Sequence, residues 1–334
     1  MPQLTLAQAD RLVRETLARC GASPENAASV ARALVACEAD GLKGHGLSRL
    51  PGYAAQVKVG KVDGQAIPTL SRPRPGVVVV DAAHGFAFPA IDLALQDLPG
   101  IARQQGIAAA AIVRSHHCGA AGHPVERLAE LGLAALLFAN TPGAIAPWGG
   151  SKAVYGTNPI AFACPLPDAE PVVVDLSLSK VARGNIMAAQ QRGEKIPEGW
   201  ALDERGKPTR KPEAALRGTM LPLGDAKGTA LALMVEMLAA GLTGANFAAE
   251  ASSFLDDKGP PPGTGQLILA FDPAAFGGGI ARFAVLARAI EEQPGARLPG
   301  RRRLDLRRKA EAEGLAVGDA LMAEIEAVRP VSAG

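Results

Sequence analysis

Four consecutive valines, Val77 to Val80, followed by Asp81, read as a buried strand, because β-branched side chains suit a pleated surface packed against neighbours. A helical stretch over 91–105 follows, and a second apolar run over 107–113 reads as another buried strand. Buried strands on either side of a helix require a sheet covered by helices, so the class is α/β or α+β. The alternation continues with a helix at 124–130 and strands at 134–139, 160–164, 172–175 and 266–271.

The ends of the chain are helical. Leu6, Ala9, Leu12, Val13 and Leu17 recur at helical spacing until Gly21 closes the element. Ser23-Pro24-Glu25 opens a second helix with a hydroxyl at the cap and proline in the first turn, and Asp40-Gly41 stops it. Residues 66–76, rich in Pro and Arg, read as a connector, and the polar stretch 192–218 as a surface excursion. A helix spans 227–242, and the remainder is helical with a basic loop at 297–303. No repeat or long linker separates these segments, which predicts interleaved domains.

With 334 residues, nearly half of them hydrophobic and 20% charged, the chain can bury a large core and is not disordered. A net charge of +2, with basic residues dispersed apart from Arg301-Arg302-Arg303 and Arg307-Arg308-Lys309, argues against a nucleic-acid partner. The four cysteines, Cys20, Cys37, Cys118 and Cys164, form no CxxC pair, which fits a reducing compartment and neither a disulfide framework nor a zinc site. No signal peptide is evident at Met1-Pro2-Gln3-Leu4-Thr5. The most apolar stretch, 228–242, is too short for a membrane span and is interrupted by Glu236. The expected location is the cytoplasm, with no membrane partner.

The chemistry must come from few residues. The histidines are His45, His84, His116, His117 and His123. His45 lies between two glycines, four residues before Arg49. An acid–base group beside a guanidinium that can clamp a carboxylate suits reduction of a 2-oxo or 2-imino acid. From spacing alone, a surface-loop histidine is the commoner case. Ser115-His116-His117-Cys118-Gly119-Ala120-Ala121-Gly122 follows a predicted strand, and small residues there leave backbone amides free for a cofactor's phosphate or amide. Its His-His-Cys spacing is wrong for helical metal ligands, and no metal is expected. His123 reads as a solvated residue at a helix start. GxGxxG after a strand, a P-loop, GxSxG and HExxH are all missing from the sequence. The residues alone therefore lead to an α/β enzyme that binds a carboxylate, and do not name nicotinamide.

Taken in order, however, Gly44-His45-Gly46-Leu47-Ser48-Arg49 with Tyr53, the 115–122 stretch, Ala146-Pro147-Trp148-Gly149-Gly150, Tyr155-Gly156-Thr157-Asn158-Pro159 and Val174-Asp175-Leu176-Ser177 resemble one family. Ile196-Pro197-Glu198-Gly199-Trp200-Ala201-Leu202-Asp203, Lys227-Gly228 and Arg297-Leu298-Pro299-Gly300 complete the set. The chain resembles the malate/L-lactate dehydrogenase-like (type 2) oxidoreductases, and within them the Δ1-piperideine-2-carboxylate/Δ1-pyrroline-2-carboxylate reductases. The resemblance implies an α/β, non-Rossmann fold, with a cofactor domain on a largely antiparallel sheet flanked by helices and a helical domain drawn from both termini.

By that resemblance, 1–70 is an N-terminal helical part, 71–115 an α/β substrate or interface part, 116–280 the NAD(P)-binding domain, and 281–334 a helical part packing back on the first. It further implies a homodimer and hydride transfer to C2 of a cyclic 2-imino carboxylate. The alternatives on the same scaffold are a 2-hydroxy-acid dehydrogenase of malate, lactate or sulfolactate type, and a cofactor-binding homologue without catalysis. His45 would donate the proton, with His117 as the other catalytic candidate. Arg49, Tyr53 and Thr157 would bind substrate. The cofactor would lie on His117, Cys118, Gly119, Ala120 and Ala121, on Asp175, Leu176 and Ser177, and on Arg297, Leu298, Pro299, Gly300, Arg301 and Arg303. Where this branch is expected to carry a serine before the histidine and an aspartate after the Asp175 strand, the chain has Gly44 and Asn185. Arg301, Arg302 and Arg303 stand where many relatives are expected to be acidic, which predicts a preference for NADPH, with NADH possible.

Overall fold

The computed structural model describes residues 2–330, and its N-terminal helices form as their caps dictate. α1 (Leu6–Arg19) is opened by Thr5, whose hydroxyl accepts from the Gln8 N–H while the Gln8 side chain accepts from the Thr5 N–H. α2 (Pro24–Ala39) is capped by Ser23, with Pro24 at its first position. After it the chain makes two 3-10 turns, Lys43–His45 and Leu47–Arg49, before α3 (Leu50–Lys58). A two-residue strand β1 (Gln3–Leu4) ties the start of the chain to its end.

The central sheet is built from β2 (Thr69–Arg74), β3 (Val77–Asp81), β4 (Ile107–Ser115), β5 (Ala134–Ala139), β6 (Ile160–Leu166) and β7 (Ala169–Leu176), with α4 (Ala87–Gln105) and α5 (Gly122–Glu130) between them. The connector expected at 66–76 thus contains an edge strand, because Pro73 costs no ladder bond at an edge. The 192–218 excursion is a folded lobe. Following α6 (Arg183–Gln191), β8 (Ala201–Leu202), β9 (Pro208–Thr209), α7 (Pro212–Arg217) and β10 (Thr219–Met220) enclose Ile196, Ala201 and Ala215. α8 (Ala226–Glu236) continues through a π turn, Met237–Gly241, and leads to β11 (Thr264–Phe271).

β11 takes the centre of the seven-stranded sheet, whose order is β2-β3-β4-β11-β5-β6-β7. β3 and β4 run parallel, joined by α4, and the other neighbouring pairs are antiparallel. Period-2 alternation assigns the two faces. Ala135, Leu137 and Ala139 of β5, with Ile268 and Ala270 of β11, pack under α4 and α5. Leu136 and Phe138, with Leu267 and Leu269, face α8. Each fully buried Leu or Ile contributes about 2 kcal/mol to this three-layer core. The chain ends in α9 (Gly279–Glu291), α10 (Arg301–Glu313), β12 (Leu315–Ala316) and α11 (Asp319–Glu326). β12 pairs with β1, and Ala310, Leu315, Val317 and Ile325 join the core of α1, α2 and α3. No helix among the described residues is long and apolar enough to cross a membrane.

Candidate active site

The turn that carries His45 is set by α2. The buried Glu38 carboxylate accepts the Leu47 N–H at 3.0 Å. Gly46 leaves room for this bond, since a Cβ there would stand 2.2 Å from the same oxygen. Arg49 is tied back by its Nε, which donates to the Gly44 carbonyl at 2.6 Å. Among the described residues no carboxylate pairs with its two Nη nitrogens, so they are available to a substrate carboxylate.

His45 stacks on His117 with ring centroids 5.2 Å apart and planes 10° from parallel. The Tyr53 hydroxyl, on α3, lies 2.6 Å from His117 Nδ1, an interaction in which either group can donate. The His45 Nδ1 is shielded and has no partner among the described residues. Behind this pair, His116 is buried against Phe254 at 4.9 Å and meets Tyr53 and Phe86 edge-on. Neither of its ring nitrogens is paired among the described residues.

Burial, reinforced by the Arg49 charge, lowers His45 to about 4. Burial and the Lys61 charge take His116 to about 3, and burial with Arg49 holds His117 well below its ordinary value. Burial also pushes Tyr53 upward, and burial with the Asp175 charge pushes the Cys118 thiol up to about 12. At neutral pH the site therefore presents neutral imidazoles beside an unpaired guanidinium, an arrangement that attracts a carboxylate.

The His117–Ala121 stretch is the junction between β4 and α5, as its sequence suggested. Gly119 has φ +71°, and a Cβ there would lie 2.8 Å from the Phe88 ring, so a side chain is excluded twice over. The Gly122 N–H donates to Asp175 Oδ2 at 2.8 Å, which fastens the start of α5 to β7. Asp175, Leu176 and Ser177 keep solvent access at the end of β7. The Leu178 N–H donates to the Thr157 carbonyl, and the Thr157 N–H donates to Thr141. Gly300 approaches the Val173 carbonyl of the same strand. The His117–Ala121 junction and the end of β7 lie at the same end of the sheet, with the 297–300 turn against β7. A groove of about 410 Å³, lined by Asp40, Leu42, Arg297, Pro299 and Arg302 among others, runs along the 297–300 turn. The small-residue junction and two arginines, Arg297 and Arg302, unpaired among the described residues, fit a dinucleotide carrying phosphates.

The basic segment differs from expectation in two ways. Arg301 to Arg303 form the first turn of α10 rather than a loop. Arg303 donates to Asp40 at 2.7 Å and to Glu126 at 2.6 Å, and Arg307 pairs with the same two carboxylates. Arg301 pairs with Glu291 at 2.8 Å. His123, read as solvated, is instead held 2.8 Å from Asp40 and near the Cys37 sulfur. Burial opposes its charge, but the Asp40 bond prevails and raises it to about 10. Asp40, His123 and Glu126 are close enough to suggest a metal, yet the two arginines already neutralise the carboxylates. Asn185 lies apart, in a second groove with Arg192, Lys195 and Trp200. Sequence reasoning left His116 outside the candidate set and missed Glu38, Lys61 and Phe254 altogether. Phe254 sits in a loop whose composition carries no signal.

This α/β frame, with a histidine–arginine face just past the end of β4, is that of a dehydrogenase or reductase. The chain belongs to the malate/L-lactate dehydrogenase family, whose model matches residues 4–326. It is 51% identical to a (2R)-3-sulfolactate dehydrogenase (NADP(+)) of Chromohalobacter salexigens, over 97% of each chain. It is 41% identical to a Δ1-pyrroline-2-carboxylate reductase of Ancylobacter novellus, over 98% of each. The crystal structure of Δ1-piperideine-2-carboxylate reductase from Pseudomonas syringae pv. tomato superposes with a TM-score of 0.93 at 37% identity, covering 98% of this chain and 100% of that one.

Proposed function

We propose that the protein reduces the C2=N bond of a small cyclic 2-imino carboxylate such as Δ1-pyrroline-2-carboxylate or Δ1-piperideine-2-carboxylate. The observation that carries this reading is the neutral histidine pair beside the free Arg49. A cyclic imine brings its own proton on nitrogen, so the site needs to bind and orient it more than to acidify it. The nicotinamide dinucleotide, when bound, supplies the hydride. Arg49 holds the carboxylate through its Nη pair, and Tyr53 and Thr157 bound the substrate. His45 hydrogen-bonds the reacting nitrogen, while His117, fixed by Tyr53, keeps the His45 ring in place.

A second reading is favoured by the relative at 51% identity and by Gly44, which withholds a hydroxyl from His45. In it the same neutral imidazole accepts the hydroxyl proton of a 2-hydroxy acid of sulfolactate type. One panel separates the readings: oxidation of NADPH and NADH with both cyclic imines, pyruvate, oxaloacetate and sulfopyruvate, for wild type and His45→Ala. Turnover of an imine that falls about tenfold or more in His45→Ala, through the lost hydrogen bond and orientation, supports the first. Turnover of sulfopyruvate alone establishes the second, and turnover of nothing a cofactor-binding homologue.

The fold reading includes a non-Rossmann cofactor domain at 116–280, entered from the substrate part at 71–115 and flanked by the helical parts 1–70 and 281–334. The last four residues of that division lie outside those described. NADPH is the preferred cofactor in this proposal, with Arg297 and Arg302 meeting its 2′-phosphate, because Arg303 and Arg301 are engaged with carboxylates. A homodimer is part of it too. α8 and its π turn bury Ala232, Val235 and Ala239 yet expose Leu231, Leu233, Met234 and Met237, an apolar face that a second copy would cover. The four buried free cysteines are consistent with the cytoplasm.

A further inference from the structure

Lys61, just beyond α3, has no solvent-exposed side-chain surface. A buried ammonium is tolerated only where oxygens replace its water. Here the carbonyls of Ser253, Asp256 and Lys258 accept from its Nζ at 2.7, 3.0 and 2.6 Å, and the Asp256 carboxylate stands at 3.4 Å. The Gln56 Nε2, on α3, adds bonds to the carbonyls of Phe254 at 3.0 Å and Asp256 at 2.9 Å. The 253–258 segment is therefore wound around one cation and hung from the helix that also carries Tyr53.

Phe254 is the side chain this winding delivers. Its ring lies 4.9 Å from His116 and 5.3 Å from His117. His116 makes no ring hydrogen bond among the described residues, so aromatic packing is what holds it. We propose that the Lys61-wound loop is a positioning device for the reaction: Lys61 fixes the loop, and Phe254 presses His116 and His117 into the plane that meets Tyr53 and His45. The charged and titratable groups facing the two histidines are Arg49 and Tyr53 from α3 and its approach, His45 from the 3-10 turn, Lys61 itself, and Cys118 next along the chain. The Lys61 charge acts on His116 in the same direction as burial against Phe254, since both keep that imidazole neutral. The inference rests on the reading of His45 and His117 as the reacting face.

The test compares wild type, Lys61→Met, Lys61→Arg and Phe254→Leu by histidine ring NMR titration, by kcat and KM with the panel substrates, and by thermal melting. In wild type the His116 and His117 ring signals should hold through pH 5. In Lys61→Met and Phe254→Leu at least one should titrate about a pH unit or more higher. kcat should drop roughly tenfold or more through lost orientation, with KM little changed because Arg49 is untouched. Lys61→Arg, which keeps the cation, should stay close to wild type in titration. Folded Lys61→Met and Phe254→Leu with wild-type titrations and wild-type kcat would overturn the proposal. Should Lys61→Met fail to fold, Phe254→Leu, which leaves the carbonyl cage intact, decides alone by the same readouts. Absence of turnover in wild type with every substrate defeats the functional reading, while the NMR arm still judges the positioning device.

Discussion

Arg49 and Gly44 meet at one hydrogen bond, and each makes a separate prediction. With Nε held by the Gly44 carbonyl, Arg49 can offer a carboxylate only its paired Nη nitrogens. Arg49→Lys keeps the charge but loses that fork, so KM for the carboxylate substrate should rise roughly tenfold or more with cofactor binding unchanged. An unaltered KM in steady-state kinetics would remove Arg49 from the substrate site. At Gly44 an added Cβ meets no atom within 4 Å. Gly44→Ser should therefore alter stability by no more than about 0.5 kcal/mol in a denaturant melt. It should also raise imine turnover relative to sulfopyruvate, because it gives His45 a hydroxyl partner. A ratio that does not move would mean the missing serine has no bearing on substrate choice.

Among the elements, α10 and α8 carry consequences that their sequences state only in part. The three arginines look equivalent in sequence, but the helix deals them to different faces: Arg301 to Glu291, Arg303 to Asp40 and Glu126, Arg302 outward beside the groove. Arg302→Glu should weaken NADPH by tens of fold, the loss of one charge-assisted contact at ~1.5–3 kcal/mol, and spare NADH, as read by calorimetry. Equal losses for both cofactors would move the 2′-phosphate elsewhere. On α8, Met237 is 55% exposed on the face opposite the core. Met237→Glu should leave the fold intact and shift sedimentation from dimer to monomer. A monomeric wild type would end the dimer proposal.

Across the whole molecule, histidines pull stability in opposite directions with pH. His45, His116 and His117 are depressed in the folded state, so the unfolded chain binds more protons below its ordinary histidine value, and stability falls as pH drops below about 6.5. His123 is raised to about 10, so its contribution is complete below about 6.5 and is lost as pH rises towards 10. Asp40 shares that interaction and is depressed, so its part persists down to strongly acid pH. The outcome is a stability maximum near pH 6.5, falling by on the order of a few kcal/mol toward alkaline pH. His123→Gln should flatten the alkaline limb of the melting profile and leave the acid limb in place. An unchanged alkaline limb would show that His123 is not charged in the native protein.

Much of this architecture was legible locally. The valine run, the apolar strand β5, the Ser23–Pro24 cap and the glycines at 21 and 41 specify elements because propensity, capping and positive φ act over a few residues. His45 and Arg49 could be paired in the sequence because they stand only four residues apart, on two successive 3-10 turns. The sequence by itself thus determined the alternation of strands and helices, the helical ends, and the residue types at the reacting face. Tertiary structure decided which arginine is free, that His123 is an ion-pair partner, that β11 occupies the centre of the sheet, and that Phe254 backs the histidines. Those outcomes depend on groups far apart along the chain, such as Lys61 and Ser253 at a separation of 192 residues, and such contacts leave no periodic trace in the sequence around either partner. They arise only when burial forces each charge and each carbonyl to find a partner across the fold.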